Sequence, residues 1–471
     1  MRSTFHGLET SKRALLTQTV ALSTLGHNIA NAATEGYTRQ RVNLSATRPL
    51  EAMGMQRSNA PGQIGTGVEY DSITRIRDSY LDLQYRRENQ LLGSWETYDQ
   101  TVQSIEKIVN EPSNTGIRAV MDKFWNSWEV LNRDPSLLSA RIDVIGSAVN
   151  FVDTLHNMNT SLNNVESDLV SNISKKITEA NNYIQNIAAL NDLIRKTEGF
   201  GDNANDYRDQ RDLLIDKLSK IVDVQFVESP NGDYSITSAG VQVVQNGQFT
   251  LLTDDVAAGA TAGQLAGYVM GQSEVEKIRN QLNAMVNTLV NGKINVKMEN
   301  GYMTSTDLVA LNNVKLSDGT EIPAGSTIPA GSQVVSPIEF EVNGFNGLHR
   351  MGYSLSDPME TNIPFFTASD GSNSFNIGNI QVNEVIRNDT SKIGASGKYE
   401  VVGGTNQTIK GNSDIALALT SLRDKVFEFP EDMTSLKNGT LDDYFRAVTS
   451  DLGTRSYNSN RNLVNQQTLL D

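Results

Sequence analysis

The sequence predicts a multidomain α+β protein in which helical segments from both ends of the chain flank a β-rich insertion. Three observations predict this fold class. Leucines recur every seven residues near the N terminus, an apolar helical pattern runs through residues 136–197, and the period becomes that of strands after residue 222. A chain of 471 residues is long enough for about two to four domains.

Composition and charge disfavour several classes of protein. Apolar residues make up 38% of the chain and charged residues 20%, which suits elongated domains with modest cores better than one large globule. The formal net charge is −15, whereas a general nucleic-acid binder needs a basic surface, so we predict no nucleic-acid partner. The first sixty residues nevertheless carry seven basic against three acidic side chains. This imbalance is either chance or the sign of a basic terminal segment that packs among acidic neighbours.

The chain contains no cysteine, which excludes disulfide scaffolds, thiol catalysis and zinc sites with cysteine ligands. Lys12 and Arg13 interrupt the apolar residues near the N terminus, so we predict no secretory signal peptide there. No segment approaches the roughly 18 consecutive apolar residues of a membrane-spanning helix, and we expect no membrane insertion. By themselves these features favour a cytosolic protein.

The N-terminal helix carries a narrow apolar seam. Leu8, Leu15, Leu22 and Ile29 are spaced by seven residues, and Leu25 lies beside them. This spacing is typical of a coiled-coil strand rather than of a core helix. Such a seam cannot bury itself, so the helix is predicted to need a partner.

A turn and a short strand are predicted after this helix. Gly36 lies where a left-handed C-cap belongs. Val42 and Leu44 alternate with polar residues, as in a strand. Residues 49–70 are rich in Gly, Pro and Met, and we predict an irregular connector with short extended pieces.

Helices dominate the next part of the chain. The apolar spacing predicts four of them, over 80–110, 117–131, 136–197 and 207–221. Pro112 ends the first, and Asp134-Pro135 is a start signal for the third, with Asp134 as N-cap and Pro135 at the first helical position. At 1.5 Å per residue the third helix would span about 90 Å, which indicates a rod-shaped domain.

Strand patterns follow at residues 222–253, where SPNGD and Asn246-Gly247 are hairpin signals. A helix returns over 273–291. Residues 300–400 are predicted to be β-rich because short apolar runs alternate with Gly, Pro, Ser and Asn. Helical patterns resume at Asp414 and continue to the end of the sequence.

These patterns divide the chain into three predicted domains. Residues 1–50 hold the terminal coiled-coil-type helix and the basic extended segment. Residues 51–299 plus 405–471 form an elongated helical bundle built from N- and C-terminal parts, with a β-hairpin region at 222–253. Residues 300–404 form a β-rich inserted outer domain.

The sequence contains no motif typical of catalysis or metal binding. The four histidines are not spaced as metal ligands, and neither a Gly-x-Ser-x-Gly elbow nor a phosphate-binding Gly-x4-Gly-Lys loop occurs. Acidic pairs such as Asp254-Asp255 and Asp442-Asp443 stand where turns and helix starts favour aspartate. The three tryptophans lie on helical stripes, as core residues do. We therefore predict no enzymatic activity, no metal site and no cofactor.

One stretch, LSTLGHNIANAATEGYTRQRVNL, resembles the N-terminal signature of the axial proteins of the bacterial flagellum, which are the rod, hook and hook-associated proteins. In that signature an amphipathic helix leads into Asn-Ile-Ala-Asn, then a Gly-Tyr pair and a basic extended segment. The matching positions here are Asn28, Ile29, Ala30, Asn31, Gly36, Tyr37 and Arg39. Ala33 and Glu35 depart from the pattern, because Asn and Pro are frequent at these positions.

Further stretches narrow the resemblance. The sequences IGTGVEYDSITRIRDSYLDLQYRRENQ, DYRDQRDLLIDKLSKIVDV and GQLAGYVMGQ are similar to the hook-associated protein 1 family, and LVNGKINVKMENGY and GNSDIALALTSLRDKVF add to the match. The resemblance covers nearly the whole chain and is weakest over residues 300–360. Each stretch alone would be weak evidence for this family, whereas the combination of stretches is specific to it.

This resemblance implies a structural role. Members of the family form a ring at the distal end of the hook and, with hook-associated protein 3, join the hook to the filament. They leave the cell through the flagellar type III export apparatus without a cleaved signal. The implied location is therefore the extracellular flagellum. The implied partners are other copies of the chain, the hook protein, hook-associated protein 3 and an export chaperone.

The family resemblance also implies an interface. The terminal helices of the family pair as a coiled coil that lines a central channel, while β-rich domains project outward. Small Asn and Ala side chains permit close helix approach, and amides can both donate and accept hydrogen bonds. The residues expected at the subunit interface of this helix are Leu8, Leu15, Leu22, Leu25, Asn28, Ile29, Asn31, Gly36, Tyr37 and Arg39.

Family members continue beyond the closing NQQTLLD of this sequence with a helix that pairs with the N-terminal one and carries the chaperone site. We therefore expect a truncated chain that cannot assemble by itself, in which residues 8–33 lack their partner. Normal filament growth from the 471-residue form, in a mutant lacking the protein, would contradict this expectation.

Other interpretations stay open. One is another flagellar axial protein of hook or rod type, although a β-dominated hook protein should lack the long helix over 136–197. Another is a secreted adhesin or a muramidase-like enzyme. Binding to host matrix would identify the adhesin, and a peptidoglycan zymogram would identify the enzyme.

Overall fold

The computed structural model describes residues 5–50, 64–110, 113, 116–229, 232–299, 301–431 and 433–470. Over these residues the protein is mixed α and β, with eleven α-helices and several small antiparallel sheets. The predicted α+β class is therefore confirmed. Among the described helices, none combines the length and the apolar character needed to cross a membrane.

The helices vary widely in length, and four of them have 29 residues or more. In chain order they are α1 (His6–Ala30), α2 (Ser79–Val109), α3 (Ile117–Arg133), α4 (Leu138–Glu198), α5 (Asn205–Ile221), α6 (Asp254–Ala258), α7 (Gly263–Asn291), α8 (Gly344–Met351), α9 (Glu384–Asn388), α10 (Asp414–Ser421) and α11 (Leu441–Leu470).

The strands are short. In chain order they are β1 (Gln40–Ala46), β2 (Val68–Arg75), β3 (Val224–Glu228), β4 (Tyr234–Ser238), β5 (Val241–Gln245), β6 (Gln248–Phe249), β7 (Lys293–Met298), β8 (Tyr302–Met303), β9 (Leu308–Val309), β10 (Val314–Lys315), β11 (Glu321–Ile322), β12 (Thr327–Ile328), β13 (Gln333–Val334), β14 (Ile338–Asn343), β15 (Phe366–Ala368), β16 (Ile380–Val382), β17 (Tyr399–Val402), β18 (Thr405–Thr408), β19 (Phe427–Glu428) and β20 (Asn438–Gly439).

The sheets follow from neighbouring strands. Strands β3 to β6 form a four-stranded antiparallel meander, which confirms the hairpins expected at 222–253. Strands β7 to β14 pair as nested hairpins, β7 with β14, β8 with β13, β9 with β12 and β10 with β11. The β-rich character expected for residues 300–400 is present, although α8 and α9 interrupt it.

The long predicted helix is confirmed, since α4 is one helix of 61 residues. It begins at Leu138, and the predicted N-cap role of Asp134 is wrong. Asp134 ends α3 instead, and its Oδ1 accepts a hydrogen bond from the Ser136 amide at 3.2 Å, which keeps Ser136 in a turn. Pro112, the predicted end of the preceding helix, lies outside the described residues.

The helix predicted over 273–291 begins earlier, at Gly263. The glycines of GQLAGYVMGQ resemble helix breakers, but they allow close packing. A Cβ atom on Gly267 would lie 1.9 Å from Thr97 Oγ1 and 2.4 Å from the Ser94 carbonyl oxygen of α2. The backbones of α2 and α7 can approach this closely only because Gly267 has no side chain.

The chain divides into two compact units. Unit 1 comprises the described residues of Met1–Tyr98, Val170–Met270 and Asn460–Asp471, and unit 2 those of Asp99–Leu169 and Gly271–Ser459. The core of unit 1 joins α4, α5, the β3–β6 meander and the start of α7. Its most buried apolar residues include Ile184, Ile187, Ile215, Leu218, Ile236, Val243 and Leu265.

Part of the core of unit 2 is a cluster of aromatic side chains. Phe124 of α3 lies 5.9 Å from Phe151 of α4 and 5.4 Å from Phe345 of α8, measured between ring centroids. Phe365 is 5.4 Å from Trp128. Residues from the predicted outer domain, 300–404, therefore share a core with α3 and α4. The predicted domain bounds stay a prediction.

Candidate functional site

The candidate site is the terminal arm, by which we mean α1 with the two strands β1 and β2. Strands β1 and β2 pair antiparallel, Gln40 opposite Arg75 and Ala46 opposite Val68. Helix α1 lies on this hairpin through polar contacts, for Thr17 Oγ1 donates a hydrogen bond to the Val68 carbonyl oxygen at 3.3 Å. The arm therefore uses little apolar surface for its own packing.

The predicted apolar seam of α1 is exposed. Leu8, Leu15, Leu22 and Ile29 are each about two-thirds exposed, at 67, 70, 67 and 68%, and Leu25 is 52% exposed. The buried side chains of α1 are those of Thr17 and Thr24. Leucine side chains usually lie in the interior, so a row of exposed leucines indicates a surface suited to a partner. Its role as a subunit interface stays a prediction.

Asn28 connects the end of α1 to the start of β1. Its Oδ1 accepts hydrogen bonds from Tyr37 Oη at 2.8 Å and from the Gln40 amide at 2.9 Å. Its Nδ2 donates to the Gln40 carbonyl oxygen at 2.9 Å. Burial raises the pKa of Tyr37, and the negative charges of Asp206 and Asp209 raise it further. The Tyr37 hydroxyl therefore keeps its proton and stays a donor. An asparagine is needed here because its side chain both donates and accepts.

The helix end differs from the prediction. Helix α1 ends at Ala30 with Asn31 as its C-cap, so the expected C-cap role of Gly36 is wrong. The His27 carbonyl oxygen at the helix end accepts two hydrogen bonds from Asn31, one from its backbone amide and one from its Nδ2, each at 3.1 Å. Gly36 does adopt a left-handed conformation, with φ of 80°, in the turn that follows.

Helix α5 presents a row of four carboxylates, which we call the acidic stripe. Its members are Asp206, Asp209, Asp212 and Asp216. Residues spaced by three and four lie on one face of a helix, so the stripe forms a continuous surface. The turn between α1 and β1 lies against it, since a Cβ on Gly36 would lie 2.9 Å from Leu213 Cβ of the same helix.

Asp206 and Asp209, the N-terminal members of the acidic stripe, hold this turn. Asp209 Oδ2 accepts a hydrogen bond from the Thr38 amide at 2.9 Å, and Asp206 Oδ1 accepts one from Gln40 Nε2 at 2.7 Å. Lys217 lies 3.2 Å from Glu35 in the same region. The turn is therefore fixed to α5 by polar contacts from its backbone and its side chains.

Asp209, Asp212 and Asp216 of the stripe also bind three arginines. Arg75 Nη1 lies 2.8 Å from both Asp209 Oδ1 and Asp212 Oδ2. The network continues to Arg77 and Arg86, which pair with Asp82, Asp212 and Asp216. Burial alone would raise the pKa of Asp212, but Arg77 and Arg75 lower it below its usual value. Asp212 therefore stays ionised, as a paired buried carboxylate does.

The basic terminal segment lies among acidic neighbours at residues 35–40, but not through its arginines. Neither Arg39 nor Arg41 forms an ion pair within the described part of the chain; Arg41 Nε donates to Asn43 Oδ1 at 3.2 Å. The backbone amide of Thr38 donates to Asp209 instead, and the side-chain amide of Gln40 donates to Asp206. Arg39, an expected interface residue, is exposed.

Arg75, Arg77 and the acidic stripe were not predicted as a site from the sequence. The stripe is visible in DYRDQRDLLIDKL as aspartates spaced by three and four, which is a detectable signal. Its partners are not detectable in this way, because Arg75 and Asp209 are 134 positions apart.

The residues considered for chemistry have structural roles. Asp442 lies 2.7 Å from Arg118, and Asp443 Oδ2 accepts a hydrogen bond from Thr440 Oγ1 at 2.8 Å. Trp125 and Trp128 are buried in the core of unit 2, as predicted. Within the described ranges, no cluster of three or more acidic, histidine or cysteine side chains is arranged to hold a metal ion.

About half of this sequence is similar to known flagellar proteins. Residues 102–308 match the family described as the flagellar hook-associated protein FlgK helical domain. Flagellar hook-associated protein 1 of Bacillus subtilis is 40% identical over 239 residues, which are 51% of this chain and 47% of that protein. The chain is a relative of flagellar hook-associated protein 1. The resemblance found in the sequence is thereby confirmed.

Other relatives agree. Flagellar hook-associated protein 1 of Salmonella typhimurium is 32% identical over 249 residues, 52% of this chain and 41% of that protein. The matches therefore span less than half the length of these two relatives. A solved structure of the flagellar hook junction protein FlgK from Burkholderia pseudomallei aligns with 82% of this chain and 98% of its own, with a TM-score of 0.54 and 14% identity. That likeness shows a shared fold.

Proposed function

We propose that the protein is a structural subunit of the bacterial flagellum that joins the hook to the filament. The observation that carries this proposal is the match to relatives named flagellar hook-associated protein 1. Residues 102–308 of this chain also match the FlgK helical-domain family. A junction protein needs surfaces that fit two different neighbours, and it needs no catalytic group. Its location would be the extracellular flagellum, reached by type III export.

The terminal arm supplies a surface of the kind this role needs. We propose that the exposed seam on α1 pairs with another terminal helix as a coiled coil, with Leu8, Leu15 and Leu22 at the contact. Exposed leucines at heptad spacing gain free energy when they leave water, which supports such pairing. The proposed partners are other copies of the chain in a ring, the hook protein, hook-associated protein 3 and an export chaperone.

We propose an elongated helical bundle and a β-rich outer domain at 300–404 for the assembled protein. The nested β7–β14 hairpins are consistent with a domain of this kind. The 61 residues of α4 favour a junction protein over a β-dominated hook protein, because that alternative should lack such a helix.

Immunogold electron microscopy of an epitope-tagged chromosomal copy tests the proposed function. We expect gold particles at the boundary between hook and filament and nowhere else on the flagellum. Labelling along the whole hook would favour the hook-protein alternative instead. Labelling of the cell body, together with a cleared band in a peptidoglycan zymogram or binding to host matrix, would favour the muramidase-like or the adhesin alternative.

A further inference from the structure

The terminal arm has one covalent connection to the rest of unit 1. It runs from the last residue of β2, Arg75, through residues 76–78 into α2, which begins at Ser79. The turn over residues 35–40 lies at this same end of the hairpin, since Gln40 pairs with Arg75 and the Ile76 amide donates to the Arg39 carbonyl oxygen at 2.9 Å. It reaches α5 through non-covalent contacts. The direction of the arm therefore depends on what holds that turn against α5.

The contacts that hold the arm on α5 are mainly polar. In addition to the acidic stripe, Asn205 Nδ2 donates to the Ile73 carbonyl oxygen at 2.8 Å. The leucines of α1 and Ile29 are exposed, so hydrophobic burial contributes little to the docking of this helix. Polar contacts depend strongly on distance and angle, so they define a direction better than an apolar surface does.

Asp209 is the carboxylate that both parts of the arm share. Its Oδ2 accepts the Thr38 amide of the turn at 2.9 Å, and its Oδ1 accepts Arg75 Nη1 at the end of β2 at 2.8 Å. Its side chain is only 5% exposed, so water competes little for these two bonds. Asp206 contacts only the turn side, through Gln40 and His27, and is 59% exposed.

We propose that Asp209 is the positioning residue that fixes the direction of the terminal arm, by tying the turn after α1 and the end of β2 to the same point of α5. Without this carboxylate the arm pivots about residues 76–78, while α1 and its hairpin keep their own structure. The proposal concerns the isolated chain. It relies on the proposed function only for the use that an assembly makes of a fixed arm.

Distance measurements between two spin labels test the proposal on the full chain. Because the chain has no cysteine, labels attach only where cysteine is introduced. Ser11→Cys on α1 and Gln210→Cys on α5 place them at two exposed positions. In this background Asp209→Asn keeps the size of the side chain and removes its charge. We expect the single narrow distance to be lost in favour of a broad or multiple distribution, with the helical circular dichroism unchanged.

A matched control is Asp192→Asn. Asp192 is an aspartate of unit 1 that pairs with Arg195 and Lys196 on its own helix, α4. We expect this variant to keep the narrow distance. A narrow, unshifted distance in Asp209→Asn would overturn the proposal, as would equal broadening in both variants.

If Asp209→Asn fails to fold, Arg75→Lys replaces it as the test. Lysine keeps the positive charge, but it cannot hold Asp209 and Asp212 together through one guanidinium group. We expect a broadened distance here too, and an unchanged narrow distance would overturn the proposal. Localisation in the flagellum does not enter this measurement, so a failure of the proposed function would be seen separately.

Discussion

His349 in α8 is fully buried, and backbone groups hold both of its ring nitrogens. Nε2 lies 3.1 Å from the Gly394 amide, which can only donate, so Nε2 is the acceptor. Nδ1 then carries the hydrogen and donates to the Ile363 carbonyl oxygen at 2.7 Å. Burial, with Arg141 adding to it, lowers the pKa of His349 to about 4. The ring is therefore neutral and structural.

This shift makes the stability of the region around His349 depend on pH. The unfolded chain binds the proton near the ordinary pKa of 6.5, and the folded chain binds it only near 4. Acid therefore favours unfolding. We expect His349 to contribute up to about 3 kcal/mol of unfolding free energy above pH 6.5, lost as the pH falls towards 4. Titration of its ring near pH 6.5 in histidine-labelled NMR spectra would contradict this.

The turn after α1 requires glycine at position 36. Its φ of 80° is strained for other residues, and a Cβ would lie 2.9 Å from Leu213 Cβ. We expect Gly36→Ala to cost about 1–3 kcal/mol in local stability and to raise the hydrogen-exchange rate of the Thr38 amide. Gly7→Ala in α1 is the control, because a Cβ added there would meet no atom within 4 Å. Equal exchange rates of the Thr38 amide in the two variants would contradict the requirement for glycine at position 36.

At the scale of elements, how well the sequence predicted each one depended on how its contacts are made. Helix α4 was predictable because its apolar period continues for many turns. The start of α7 was not, because a glycine chosen for close packing has the same appearance as a helix breaker. The apolar seam of α1 was predicted as an unpartnered surface, whereas the ion pairs between β2 and α5 join residues too distant in sequence for any local pattern.

The contact between α2 and α7 gives a prediction at this scale. Gly267→Ala places a methyl group 1.9 Å from Thr97 Oγ1, so the two helices must separate. We expect a loss of roughly 2–4 kcal/mol in unfolding free energy, seen as a lower midpoint in urea. Gly453→Ala in α11, where a Cβ meets nothing within 4 Å, should be neutral or stabilising by up to about 1 kcal/mol. A loss of stability in Gly453→Ala as large as in Gly267→Ala would contradict this explanation.

The seam on α1 gives a prediction about assembly. Leu15→Gln and Leu22→Gln change side chains that are 70 and 67% exposed, so the unfolding free energy should change by less than about 0.5 kcal/mol. We expect both variants to reduce incorporation into flagella, measured by immunoblot of purified hook–filament preparations. Ser23→Gln, also exposed on α1 but outside the heptad positions, should be incorporated normally. Normal incorporation of the two leucine variants would show that the seam is not an interface.

At the scale of the whole molecule, the two units differ in the contacts that hold them together. Unit 2 has a packed aromatic cluster in its core, whereas in unit 1 the terminal arm keeps its leucines exposed and is held by carboxylates and arginines. A single polypeptide would gain nothing from leaving such leucines in water. A subunit of an assembly would gain from it, because the burial is completed by a neighbour. This contrast agrees with the relatives named flagellar hook-associated protein 1.

Deletion of the gene tests most directly the proposal that this protein joins the hook to the filament. Cells lacking the gene would be examined by electron microscopy for hooks and attached filaments, with the chromosomal gene restored as the control. We predict complete hooks that carry no filament, and recovery of filaments when the gene is restored. Hooks with normally attached filaments in the deletion strain would contradict the proposal.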